Sequence, residues 1–302
     1  MKKPHQIVGA ACLAAVAVAA LAWYFLKTEK TQDASAFSGR PGDKSAVRRA
    51  DSVPAIPAER DDVRRIVNPG TASTAERLRQ VHALPDNLSA ADREAVARYL
   101  KYGENSDIEL VIKNDLMNKL RNQKTLPPEL TGMLLDLYSD RKQNITVRIY
   151  ALQHLRPQYE LTRDAAIRQA FYDALNETDN EIAGGALLAL RYLCAEYPNE
   201  FDTAVISRRA AEIAQDGNVN NLTRLSAVQV AAMLGNAEIE PAIRSLAENA
   251  STPLTLRLSA IAGLGQLKRP ESRPTLEQLA RNKGPEGKAA RMALKKFSNS
   301  MN

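Results

Sequence analysis

The feature that most constrains this chain is the self-similarity of its second half. VRIYALQHL (147–155), TRLSAVQVAAMLG (223–235) and LRLSAIAGLGQL (256–267) share one frame. Arg148, Arg224 and Arg257 are each followed three residues later by an alanine, Ala151, Ala227 and Ala260, and then by aliphatic residues at helical spacing. IAGGALLALRYL (182–193) joins the frame from Ala186, and KAARMALKKF (288–297) joins it from Ala290. The segments upstream repeat too: Pro241-Ala-Ile243-x-x-Leu246-Ala247 is matched by Pro274-Thr-Leu276-x-x-Leu279-Ala280. A period of roughly 30 to 41 residues is that of paired-helix solenoids. Each pair carries an apolar face that it cannot bury alone, so neighbouring pairs must stack. Aromatics are only 5% of the chain, which suits helices packed through Ala and Leu better than a β-sandwich or barrel.

These residues resemble the HEAT-repeat family in its short bacterial form. The resemblance rests on x-[VL]-R-x-x-A-x-x-x-L in the second helix of each pair and on Pro-x-[IL] opening the first, and it covers about Pro128 to Phe297. It implies an all-α superhelix of about five helix pairs over 128–298, starting near Pro128, Arg163, Asn199, Glu238 and Pro270. The match weakens where Ala183 replaces the arginine and Gly184-Gly185 follows, a place for close helix approach or a kink. The resemblance further implies that Arg148, Arg224 and Arg257 form a structural ladder between repeats. It implies a surface that grips proteins or peptides.

Upstream of the repeats, helical patterning begins near Ser73. Leu78, Val81 and Leu84 recur at three-residue steps before Pro85. Ser89, with Asp92 three residues on, reads as a helix start, and Gly103 as a stop. Ile108, Val111, Ile112, Leu116 and Leu120 mark a third segment. Residues 73–127 therefore read as an atypical three-helix N-terminal cap. Residues 27–72, with SGRPGDKS and SVPAIPAERDD, show no sustained apolar period and read as a mixed-charge tether.

Ahead of the tether, Ile7 to Leu26 form an apolar run without a charge, long enough to cross a bilayer as a helix. Lys2 and Lys3 precede it, and Trp23 and Tyr24 sit at its far end, where interfacial aromatics belong. A cleaved signal peptide requires small residues just after a shorter core. Bulky Trp23 to Leu26 occupy that place, with Ala34-Ser35-Ala36 as a weak later site. A lipoprotein signal fails because Gly9 stands three places before Cys12. The reading is a single-pass signal anchor at 7–26 in the inner membrane, with 1–6 in the cytoplasm and the helical domain in the periplasm. Lys27 and Lys30 reduce the charge contrast that sets this orientation.

A search for chemistry returns little. Of three histidines, His5 precedes the span, His82 falls in the first cap helix and His154 in a repeat helix, none at metal-ligand spacing from a second His or Cys. Cys12 and Cys194 form no CxxC, and Cys194 on an Ala/Leu-rich helix reads as a small buried residue. No phosphate-binding glycine loop or nucleophile elbow occurs. No catalytic residue, metal or cofactor is expected.

The net charge of +6 concentrates at the end of the chain: nine basic residues against three acidic ones from Lys268 onward. Arg291, Lys295 and Lys296 on the last helix are the candidate interaction residues. A solubilising polar end is the plainer account of them. The sequence thus points to a membrane-anchored scaffold whose partner is another protein of the envelope. Nucleic-acid or anionic-surface binding through the basic last repeat is the alternative, and a HEAT-like enzyme such as a chromophore lyase stands behind it. A tag placed after Asn302 is expected to be digested by protease added to spheroplasts, with Met1 still at the N-terminus. Protection of the tag would put the helical domain in the cytoplasm.

Overall fold

The computed structural model describes residues 60–68, 70 and 72–298. The segment 1–6, the span 7–26 and the tether as far as residue 59, with His5 and Cys12, lie outside the described residues. Among the described residues no helix is long and apolar enough to cross a membrane. Those residues belong to one unit, Ala55–Asn302.

Every regular element described is helical. Consecutive helices pack as pairs. The first three pairs are α1 (Asp61–Val67) with α2 (Thr74–Ala83), α3 (Ala90–Tyr102) with α4 (Asp107–Arg121), and α5 (Leu130–Ser139) with α6 (Ile145–Thr162). Then come α7 (Ala165–Ala174) with α8 (Ile182–Glu196), and α9 (Thr203–Gln215) with α10 (Asn221–Met233). The last two pairs are α11 (Glu240–Glu248) with α12 (Leu254–Leu267), and α13 (Arg273–Ala280) with α14 (Pro285–Ser298). Short 3-10 turns, Ala237–Ile239 and Pro270–Ser272, lead into α11 and α13. The second helices form one continuous row in which α2, α4, α6, α8, α10, α12 and α14 each pack on the next. The result is a solenoid-like stack.

One boundary differs from the sequence reading. Helix begins at Asp61, inside the stretch assigned to the tether, because α1 has only two buried apolar residues, Val63 and Ile66, too few to print a period. Residues 73–127 hold the three helices read there, and these continue the pairing of the repeats. α2 completes the pair that α1 opens, and α3 and α4 form the next pair in the same row.

Local chemistry sets the helix starts. The side chains of Ser73, Ser89, Ser106, Asn144, Asp164, Asp202 and Asn220 each accept from a backbone N–H of the first turn. Ser89 and Asp92 complete a reciprocal capping box. Close packing along the row depends on missing side chains. A Cβ on Gly265 would stand 2.6 Å from that of Ala293, bringing α12 against α14. A Cβ on Gly184 would come within 3.1 Å of Thr223 and Ser226, so α8 sits tightly on α10, whereas Gly185 faces open space. The glycine pair is thus a close approach at its first member.

The recurring arginine clamps the two helices of its own pair. The last carbonyls of a helix lack intrahelical donors, and in each pair a long side chain of a neighbouring helix supplies one. Arg77, the fourth residue of α2, donates to Ile66 O at the end of α1, at 2.8 Å. Arg148, fourth in α6, donates to Tyr138 O of α5 at 2.7 Å. Arg224, fourth in α10, donates to Ala214 O of α9 at 3.3 Å, and Arg257, fourth in α12, to Ala250 O just past α11 at 2.9 Å. Two further pairs use the seventh residue instead. Lys113 donates to Gly103 O at the end of α3, and Arg291 to Ala280 O at the end of α13. In the remaining pair Ala183 leaves no such donor on α8, and Arg209 of α9 supplies the bond to Leu175 O.

Three clamps also reach the next pair through a carboxylate. Arg77 pairs with Glu109, Arg148 with Glu177, and Arg257 with Glu286. Arg224 has no such ion pair among the described residues. The Arg148–Glu177 pair is nearly sealed from solvent, with side chains 5% and 4% exposed. Removing Arg148 leaves buried Glu177 with only the exposed Arg141, 3.4 Å away, as a cation partner, a loss approaching the roughly 3–5 kcal/mol of a broken buried pair, while one hydrogen bond to a carbonyl is worth about 1 kcal/mol. Arg148→Ala is therefore expected to lower the unfolding free energy several times more than Arg224→Ala, measured by urea titration of helicity. Equal losses would remove the second partner from this account.

A candidate partner-binding groove

Among the described residues no group of three or more His, Cys, Asp or Glu is placed to hold a metal ion. His82 lies 3.0 Å from Asp115 with its side chain largely exposed. His154 sits in the middle of α6, not at a helix end, with Nε2 3.2 Å from Asn114 Oδ1. Its Nδ1 has no hydrogen-bond partner. Burial, with a smaller push from Arg121, holds its pKa down at about 3. Cys194 is buried, and burial raises its thiol pKa. Lys113 is brought to about 8 by burial while it bonds Gly103 O and Asn105 Oδ1.

A concavity lies elsewhere, between α3 and α5, and none of the candidate site residues read from the sequence lines it. Its volume is about 640 Å³, within the range of ligand-binding clefts. It exists because the facing side chains are short. One face of α3 presents Ala90 and Ala97, and α5 answers with Gly132, at which an added Cβ would touch nothing. Pro127 and Pro128, which cannot continue a helix interior, set α5 off from the end of α4. Leu120, Leu130 and Leu137, each at most 2% exposed, form the floor.

The rim is charged but largely paired. Arg93 bridges Glu129 at 2.5 Å and also donates to Leu88 O, tying α3 to the start of α5 at one end. Arg98 pairs with Glu94. At the other end Tyr102 stands 74% exposed, with Lys101 Nζ 5.6 Å from its ring centroid. No buried side-chain atom without a hydrogen-bond partner lies in the lining, so no unmet polar group waits there to orient a small polar ligand.

The three cations singled out from the sequence all lie on α14 but are not alike. Arg291 is engaged with the Ala280 and Asn282 carbonyls, and Lys296 donates to Gln266 Oε1 at 3.1 Å. Lys295 is exposed. Arg148, Arg224 and Arg257 occupy the clamp positions described above. The groove itself was legible only as scattered small residues, since helical spacing of Ala90 and Ala97 does not say that Gly132 faces them.

The unfolded chain protonates His154 near its ordinary value of 6.5, and the folded chain does so only near 3. Between those values the unfolded state binds more protons, so stability falls as pH drops through this window. Relative to His154→Gln, the parent protein is expected to lose about 2 kcal/mol more between pH 7 and pH 4.5, measured by denaturant midpoints. A constant difference between the two would show that His154 titrates normally.

No protein-family model matches the chain, and no curated protein matches it. Among solved structures, that of human deoxyhypusine hydroxylase in complex with glycerol is similar at a TM-score of 0.36 and 15% identity, over 79% of this chain and 95% of that one. A likeness at that score carries no argument about this protein.

Proposed function

We propose that this protein is a membrane-anchored scaffold that binds another protein, with the α3–α5 groove as its docking site and no catalytic activity of its own. The observation that carries this reading is a preformed apolar cleft whose rim charges are already largely neutralised. Such a cleft favours an apolar partner surface over a charged or small polar ligand. The occupant that fits is an amphipathic helix. Ala90, Ala97 and Gly132 leave room for a helix backbone to come close, the leucine floor receives its aliphatic side chains, and exposed Tyr102 supplies an aromatic anchor. The short-helix resemblance to HEAT repeats and the anchor read at 7–26 support an envelope adaptor facing the periplasm.

The test is a photo-crosslinking residue at Met133, on the groove wall, in the full chain in intact cells. The expected product is one discrete adduct whose crosslinked peptide has aliphatic residues at helical spacing. Ala97→Trp, which fills the cleft, should abolish the adduct while helicity and the melting midpoint stay unchanged. A lipid or metabolite adduct, or a protein adduct indifferent to Ala97→Trp, would sink the proposal.

A further inference from the structure

The end of the stack carries a second surface. α14 packs on α12 and α13, and its side turned away from them is exposed at Lys288, Met292, Lys295 and Lys296. Between Arg281 and Lys296 there are six basic residues and one carboxylate, Glu286, which is taken by Arg257. The two nearby upstream carboxylates are occupied as well, Glu277 by Arg273 and Glu271 by Arg269. Among the described residues Arg281, Lys283, Lys288 and Lys295 make no ion pair, and all four are exposed. Lys288, Met292, Lys295 and Lys296 recur at i, i+4, i+7 and i+8, which puts them on one face of α14. Met292, in the middle of that face, is 61% exposed.

We infer that this face of α14, with Arg281 and Lys283 of the preceding connection, rests on an anionic lipid surface. Uncompensated cations would suit any polyanion. The exposed methionine among them selects lipid, because an apolar side chain on a lysine-flanked stripe inserts at the headgroup boundary while the lysine stems reach to the phosphates. A nucleic-acid face would offer aromatic or hydrogen-bonding side chains to bases there instead. The surface is distinct from the groove and stands without it.

The experiment uses the full chain with Cys12→Ser and Cys194→Ala, and an environment-sensitive fluorophore on Met292→Cys. It is reconstituted in phosphatidylcholine vesicles with or without phosphatidylglycerol. The apolar run Ile7–Leu26 supplies the same partitioning in both, so a difference reports headgroup charge. Expected are a blue shift and quenching by doxyl-labelled lipid in the anionic vesicles only. Both should be lost in molar salt, where the screening length is about 3 Å. Replacing Lys288 and Lys295 with glutamine should weaken the association by roughly 25-fold, about fivefold per cation. Ala97→Trp in the groove should change nothing. The inference fails if neutral and anionic vesicles give the same signal, if neither gives one, or if the double variant keeps it. It fails equally if duplex DNA added to neutral vesicles produces the shift that anionic lipid does not.

Discussion

The fold depends on how the second helix of each pair satisfies the C-terminal carbonyls of the first. A helix end buried without donors costs the desolvation of each carbonyl it strands. In a stack of short pairs, that problem returns at every repeat. A long basic side chain one or two turns into the next helix solves it, because it can run along the interface on an apolar stem and place several donors at the end. Arg77, Arg148, Arg224 and Arg257 do this from the fourth helical residue, and Lys113 and Arg291 from the seventh. The same guanidinium has donors to spare, so at Glu109, Glu177 and Glu286 it also joins neighbouring pairs. Glu109 and Glu286 sit in the first turn of the next second helix, where a negative charge also complements the helix dipole.

Burial of these clamps grades along the stack. Arg77 and Arg148 are 3% and 4% exposed, while Arg291 near the other end is exposed to solvent. A carboxylate offsets the desolvation of a buried cation, and the two most buried arginines have one, whereas buried Lys113 is held by neutral oxygens and its pKa is lowered to about 8. Arg291 bonds only carbonyls and sits in water, and Arg281, Lys283, Lys288 and Lys295 around it make no ion pair among the described residues. The basic end of the chain is therefore partly a consequence of the clamp and partly surplus charge. The surplus, together with Met292, gives that end its chemistry.

The groove has the opposite origin. Where the second helices meet, glycine and alanine bring backbones together, as at Gly265 against Ala293. Where the first helices α3 and α5 face each other, similarly small residues leave a gap, because the α4–α5 connection holds the helices apart at Pro127-Pro128. The same residue types thus close one interface and open another, and the difference is set by what the flanking loop permits.

The sequence alone determined the helical class and the repeat frame from Pro128 onward, because these are periodic signals and periodicity is written along the chain. It picked out Arg148, Arg224 and Arg257 by the same period, but as a ladder between repeats, whereas each clamps its own pair and Arg224 makes no ion pair to the next among the described residues. It also marked Gly184-Gly185 as a place of close approach, and the basic bias of the last helix. It missed α1, whose seven residues are too few to show a period, and it missed Lys113 and Arg291 as clamps because they act one turn later than the repeat frame. It placed His154 on a repeat helix but not in the interior, since burial depends on which neighbour covers a face. The groove, the carboxylate partners and the open face of α14 were decided by the tertiary structure alone. The first two join residues tens of positions apart, the third depends on which side α12 and α13 cover, and only the stacking of one pair on the next sets them.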